Sequence, residues 1–188
     1  MLEIIKLIDM NSWVGLIGVL FGAMLGLSGV IFANRSSFQR LKLQLDTEKE
    51  RAHAQVKREK LEELYVLLSQ WENMFFSNGL KLTLVMKGDI DYNQYLDEII
   101  ESGQASNVEF HRLEMIINIY ARELCTLYKD VLKCRDKINK IVGAHKQDYM
   151  HGNINGEKYL DIYLKAHAEL NIKVKKLQEQ LAELATNA

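Results

Sequence analysis

From Ser12 to Ala33 the chain carries no charged side chain, and eleven of these 22 residues are Leu, Ile, Val or Phe. At about 1.5 Å per residue the run makes about 33 Å of helix, against about 30 Å of bilayer hydrocarbon. The pattern predicts a transmembrane helix over 12–33. A cleaved secretory signal fits less well. Glu3, Lys6 and Asp9 stand where a basic patch belongs, the apolar run is longer than the usual stretch, and no Ala-x-Ala site follows. Residues 1–11 then form a short extracytoplasmic tail, in which Leu2, Ile4, Ile5, Leu7 and Ile8 suit an interfacial turn or two.

Inside the span the glycines are ordered. Gly15, Gly18, Gly22, Gly26 and Gly29 fall within an arc of roughly 80° at about 100° per residue, and Ala33 continues the series. Gly18-x-x-x-Gly22-x-x-x-Gly26 is a doubled small-xxx-small pattern, which lets two helix backbones approach closely in lipid. These five glycines are the expected oligomerisation face, with copies of the same chain as partner. Leu20, Leu27 and Ile31 lie opposite, toward lipid. The span offers no ionisable or amide side chain for a proton relay or ion site, which argues against a transporter.

Basic residues set the orientation. Only Lys6 precedes the span, whereas Arg35, Arg40, Lys42, Lys49 and Arg51 follow it closely. The amino terminus is therefore expected outside and the carboxy-terminal body in the cytoplasm, anchored in the cell inner (plasma) membrane. Arg35, Arg40 and Lys42, with no acidic residue among them, are the candidate lipid-headgroup contacts.

Segment 34–60 reads as a basic juxtamembrane stretch and a solvated helical stalk. From Asp46 to Lys60 four acidic and five basic residues interleave, with only Ala52, Ala54 and Val56 as small apolar spacers. No aromatic is present there to stack on bases, so nucleic acid is not an expected partner. Residues 61–188 are expected to form one antiparallel bundle. Leu61, Leu64, Leu67, Leu68, Trp71 and Phe75 recur at helical spacing. Ser77, Asn78 and Gly79 are a candidate break or bend, followed by Leu80, Leu82 and Leu84 in a pattern that a strand or a helix could carry, helix being favoured.

A repeat 64 residues apart supplies two corners. Met86-Lys87-Gly88-Asp89-Ile90-Asp91 and Tyr95 return as Met150-His151-Gly152-Asn153-Ile154-Asn155 and Tyr159. Gly88 and Gly152 suit the left-handed residue after a helix end, Asp91 and Asn155 the next N-cap, and Ile90–Tyr95 and Ile154–Tyr159 a hydrophobic staple. Between the corners one helix is expected from about Asn107 to Val142, its seam passing through Ile116, Tyr120, Leu127, Val131, Cys134, Ile138 and Ile141. The last helix, from about Gly156 to Ala185, carries Tyr163, His167, Leu170, Val174, Leu177, Leu181 and Leu184 in four-three alternation. That seam is the expected partner-helix surface, packing back on the stalk or on a neighbouring chain.

Composition narrows the class. There is no proline in 188 residues, and 24 basic residues balance 25 acidic ones. Long helices fit better than a sandwich, a disordered chain or a nucleic-acid binder working through net charge. Cys125 and Cys134, nine apart, match no zinc, redox or disulfide spacing. His53, His111, His145, His151 and His167 form no metal motif, the nearest candidate being His145 and His151 with Asp148 between them. No phosphate loop or nucleophile elbow is present, and Asp89 and Asp91 lack the remaining positions of a calcium loop.

The expected protein is all-α and not an enzyme, with no cofactor, metal or small-molecule substrate. It has a single amino-terminal transmembrane helix, a charged stalk and an antiparallel bundle. Its partners are the lipid bilayer, copies of itself and an unidentified cytoplasmic protein, which makes it a membrane-anchored scaffold. The second reading is a membrane-depolarising effector of a bacterial toxic or anti-phage system, and a third is a lipid-sensing tether.

Overall fold

The computed structural model describes residues 10–105 and 109–187. Most of the expected extracytoplasmic tail therefore lies outside the described residues, as does the expected helix start at Asn107. The described elements are all helical: α1 (Met10–Lys87), α2 (Tyr92–Ala105), α3 (Phe110–Tyr120), a 3₁₀ turn (Arg122–Leu124), α4 (Cys125–Met150) and α5 (Glu157–Thr186). The chain divides into two units, Met1–His53 and Ala54–Ala188, so the charged segment 46–60 straddles the division.

The first unit contributes the apolar amino-terminal part of α1, the one helix among the described residues long and apolar enough to cross a membrane. The segment is not buried anywhere within the chain.

The second unit is a bundle whose directions follow from its cross-links. Its α1 portion runs alongside an antiparallel α2 and α3: Lys81 pairs with Glu98 at 3.4 Å, Arg112 with Glu63, and Lys57 with Glu123 at 3.7 Å. The chain then reverses, and α4 runs back parallel to α1. Antiparallel α5 closes the layer, with Glu169 on Lys137 at 2.8 Å and Gln178 donating to Glu72 at 3.0 Å. The arrangement is up-down-up-down, with the second leg shared by two short helices. One apolar core runs through all four legs, including Leu61, Leu64, Leu68 and Val85 of α1, Tyr95 of α2, Ile116 and Ile117 of α3, Val131 and Ile138 of α4, and Leu177 and Leu181 of α5.

Three expectations about helix continuity are corrected. Ser77–Gly79 does not break α1, which continues to Lys87. Gly79 instead marks a close approach: a Cβ there would lie 2.6 Å from His167 Cε1, and the Tyr163 hydroxyl donates to its carbonyl at 3.3 Å. The single helix expected over 107–142 is two helices. Ala121, fully buried, leaves the helical region at φ −134° and ψ 44°, and the 3₁₀ turn after it reverses the chain. A helix unbroken from 107 to 142 would run about 54 Å in one direction and strip Leu113, Ile116 and Ile117 from the core. Finally, α4 continues past Gly143 to Met150, since one glycine in a helix interior costs only about 0.5 to 1 kcal/mol.

Both corners close in the same way. Gly88 and Gly152 have φ of 78° and 88°. At the first, Asp89 N–H donates to Leu84 O and Gly88 N–H to Val85 O; at the second, Asn153 N–H donates to Asp148 O and Gly152 N–H to Tyr149 O. Each is a Schellman closure. Beyond them the corners diverge. Asp91 caps α2 by accepting from the N–H groups of Asn93 and Gln94, while Gln94 Oε1 accepts from Asp91 N–H, a complete capping box. Asn155 accepts only from Glu157 N–H, and α5 starts one residue later than its counterpart, after Gly156. The staple differs too: Ile90 packs against the core, whereas Ile154 is exposed.

Candidate functional site

The apolar rod and its flank are the first candidate surface. At Gly15, Gly18, Gly22, Gly26 and Gly29 a built Cβ would meet nothing within 4 Å. The stripe expected from the spacing is thus an open groove on α1, where the helical backbone is covered by no side chain of the chain itself. Large apolar residues fill the rest of the circumference, Leu20, Leu27 and Ile31 among them, and all three are exposed. Ser28 donates to Met24 O at 2.8 Å, so its donor is satisfied along the helix. Arg35, Arg40 and Lys42 are exposed, and among the described residues they make no ion pair.

The seam of α5 is placed differently. Tyr163, Leu170, Val174, Leu177 and Leu181 are buried and Leu184 is half-buried, all in the chain's own core. From Tyr163 to Leu181 the four-three alternation is therefore taken up within the chain's own bundle.

The bundle exposes two grooves between α1 and α5: one of about 370 Å³ beside Arg58, Glu62, Tyr65 and Ala185, and one of about 240 Å³ lined by Phe76, Gly79, Leu80, Thr83, Leu164 and Ala168. Tyr163, His167 and Asn171 also line the second. The His167 ring packs on Tyr163 and Phe75 with centroids 4.5 and 5.4 Å away, and neither its Nε2 nor Asn171 Oδ1 has a hydrogen-bond partner. Burial pushes the His167 imidazole below its ordinary value. The hydrogen bond expected of a packed seam histidine is therefore missing at Nε2.

His145 belongs to a second cluster, where the two corners meet. It is fully buried, with both ring nitrogens unpartnered, among the rings of Tyr92, Tyr149 and Tyr159 at centroid distances of 6.2, 6.2 and 5.6 Å. Burial depresses its pKa, opposed by the charge of Asp148. Asp148 itself is held below the ordinary carboxylate range by Lys158 and the Tyr159 hydroxyl. His151 does not join them as a metal ligand: its Nδ1 sits 2.7 Å from Gln147 O. Among the described residues, no three His, Cys, Asp or Glu side chains gather as metal ligands. The nest could not be read from spacing, because Tyr92, His145 and Tyr159 come from three helices. The corner repeat points only to Tyr159, because its match in the first corner is Tyr95 whereas the α2 ring beside His145 is Tyr92.

Neither a family model, a curated protein nor a solved structure matches this chain.

Proposed function

We propose that the chain is a single-pass membrane scaffold, in which α1 crosses the bilayer over 12–33, meets copies of itself along the glycine stripe, and offers its helical body to a cytoplasmic protein partner. The observation that carries this reading is the uncharged, uncovered rod with five glycines open along one side. Eleven Leu, Ile, Val and Phe side chains each favour the bilayer by about 0.3 to 0.6 kcal/mol. Once in lipid, the groove they leave is filled by a second backbone rather than by lipid chains, whose ordering there is costly. The basic flank of Arg35, Arg40 and Lys42 keeps the body on the cytoplasmic side and draws anionic headgroups, each residue contributing about 1 kcal/mol.

Because the seam of α5 is consumed within the bundle, the partner surface is the smaller α1–α5 groove. Phe76, Leu80 and Leu164 provide an exposed apolar rim. Washing membranes with alkaline carbonate and measuring the mass of the detergent-extracted protein tests the reading. The full chain should stay with the bilayer as a multimer, and Gly22→Ile should reduce the aggregation number while Phe32→Leu, exposed and off the glycine stripe, does not. Release by carbonate, or an unaltered mass for Gly22→Ile, overturns it.

A further inference from the structure

A second seam runs along α1 on a different side from the glycines. Met24, Leu27, Ile31, Asn34, Phe38, Leu41 and Leu45 follow one another at intervals of three and four, the heptad signature of a helix that packs against another helix. The seam lies about 150° round the helix from the glycine stripe. None of it is covered: Phe38 is 68% exposed, Leu41 52% and Leu45 48%. Lipid can cover the first three positions if 12–33 spans the bilayer. It does not reach the last two. Headgroups extend about 5 to 8 Å beyond the hydrocarbon, whereas Leu41 and Leu45 lie about 12 and 18 Å past Ala33 along the axis.

We infer that this seam is a parallel coiled coil with a second copy of the chain, continuous through the membrane boundary. The inference rests on the membrane reading above. A partner for the whole seam must itself be a helix that crosses the same boundary and continues into water, and a second copy meets that requirement with its register already fixed by the bilayer. The charges agree. In the heptad that puts Ile31, Phe38 and Leu45 at one core position and Asn34 and Leu41 at the other, Arg35, Lys42 and Lys49 occupy one flank and Ser37 and Gln44 the other. A parallel pair sets Lys42 against Ser37 and Lys49 against Gln44, with no like charges facing. An antiparallel pair would bring the basic flanks together, and single-pass insertion excludes it in any case. Asn34, the one amide in the seam, faces its own copy at the membrane edge, where an amide pair penalises every shifted register.

Cysteine scanning in native membranes tests this. Single substitutions Phe38→Cys, Leu41→Cys, Leu45→Cys and the off-seam control Leu43→Cys, itself 68% exposed, are oxidised, and disulfide-linked dimer is compared with a parent that retains Cys125 and Cys134. Leu41→Cys and Leu45→Cys should give several-fold more dimer than Leu43→Cys, and Gly22→Ile added to Leu45→Cys should leave that yield largely intact. Equal yields at Leu41, Leu43 and Leu45, or a yield no higher than the parent's, overturn the seam. The same samples are washed with carbonate, so a protein that stays in the membrane without periodic crosslinking refutes only the seam, while one that is released refutes the membrane reading as well.

Discussion

The backbone N–H of Gly156 donates to the carbonyl of Met86 at 3.0 Å, so the start of α5 is tied to the last turn of α1. The bond joins the two corners of the repeat. It uses a carbonyl near the α1 terminus that the Schellman closure leaves without a helical partner. The approach is close because Gly156 has no side chain. A Cβ there would stand 2.5 Å from His145 Nε2 and 2.8 Å from Met86 Cα. The second of these is backbone and cannot swing aside. Gly156→Ala is therefore expected to destabilise the bundle by about 1 to 3 kcal/mol, as overpacking of a filled site does. A lowered urea midpoint for the full-length protein in detergent is the measurement. An unchanged midpoint would show that the corners are not in contact.

Gly88, Gly152 and Gly143 differ by backbone rather than by space. Nothing lies within 4 Å of a Cβ built at Gly88, Gly152 or Gly143. Gly88 and Gly152 nevertheless hold positive φ, and an L-residue there costs about 1 to 2 kcal/mol. Gly143 is helical, where alanine is better by about 0.5 to 1 kcal/mol. Gly152→Ala should lower the thermal midpoint and Gly143→Ala raise it, although both substitutions add one methyl group in open space. Matching shifts of the same sign would contradict this assignment of the corners.

Much of this architecture was legible because it rests on local rules. The apolar run, the positive-φ glycines and the Asp91 cap each need only a few neighbouring residues to be recognised, and α5 begins and ends within a residue or two of the sequence expectation. What failed depended on partners distant in sequence. Gly79 has the composition of a helix breaker, and only the presence of His167 across the interface explains why it is small. Ala121 turns the chain with no glycine or proline to announce it, since a buried turn selects for a small side chain and alanine equally suits a helix interior. The α5 seam was visible, but spacing does not say whether the complementary face belongs to the same chain.

The buried histidines give stability a slope with pH. Burial lowers both His145 and His167 below the ordinary value of 6.5. The unfolded chain therefore takes up protons near that pH while the folded chain resists them, and stability, complete above about 6.5, falls as the solution is acidified through it. Glu63, Asp130, Asp148 and Glu169 are held low by basic neighbours, and what they contribute is lost only in the more acidic carboxylate range. Between about pH 7.5 and about pH 5.5 the slope belongs to histidine. His145→Gln should reduce it to the share of His167, whatever it does to absolute stability, because glutamine does not titrate. Urea midpoints across that interval decide the matter, and a wild-type midpoint independent of pH would show that the imidazoles are not shielded.

Membrane potential distinguishes a scaffold from an effector that permeabilises the bilayer. Between Ser12 and Ala33 the span has no ionisable or amide group to support a file of water or to hold an ion, and its one described hydroxyl, Ser28, is turned back onto Met24 O. Helices that meet glycine to glycine also bring their axes together, which closes a central space rather than opening one. Overproduction is therefore expected to leave the signal of a potential-sensitive dye close to that of cells producing Gly22→Ile at the same level. Rapid depolarisation by the wild type, abolished by Gly22→Ile, would mean that the assembly encloses water, and the scaffold reading would give way to the effector.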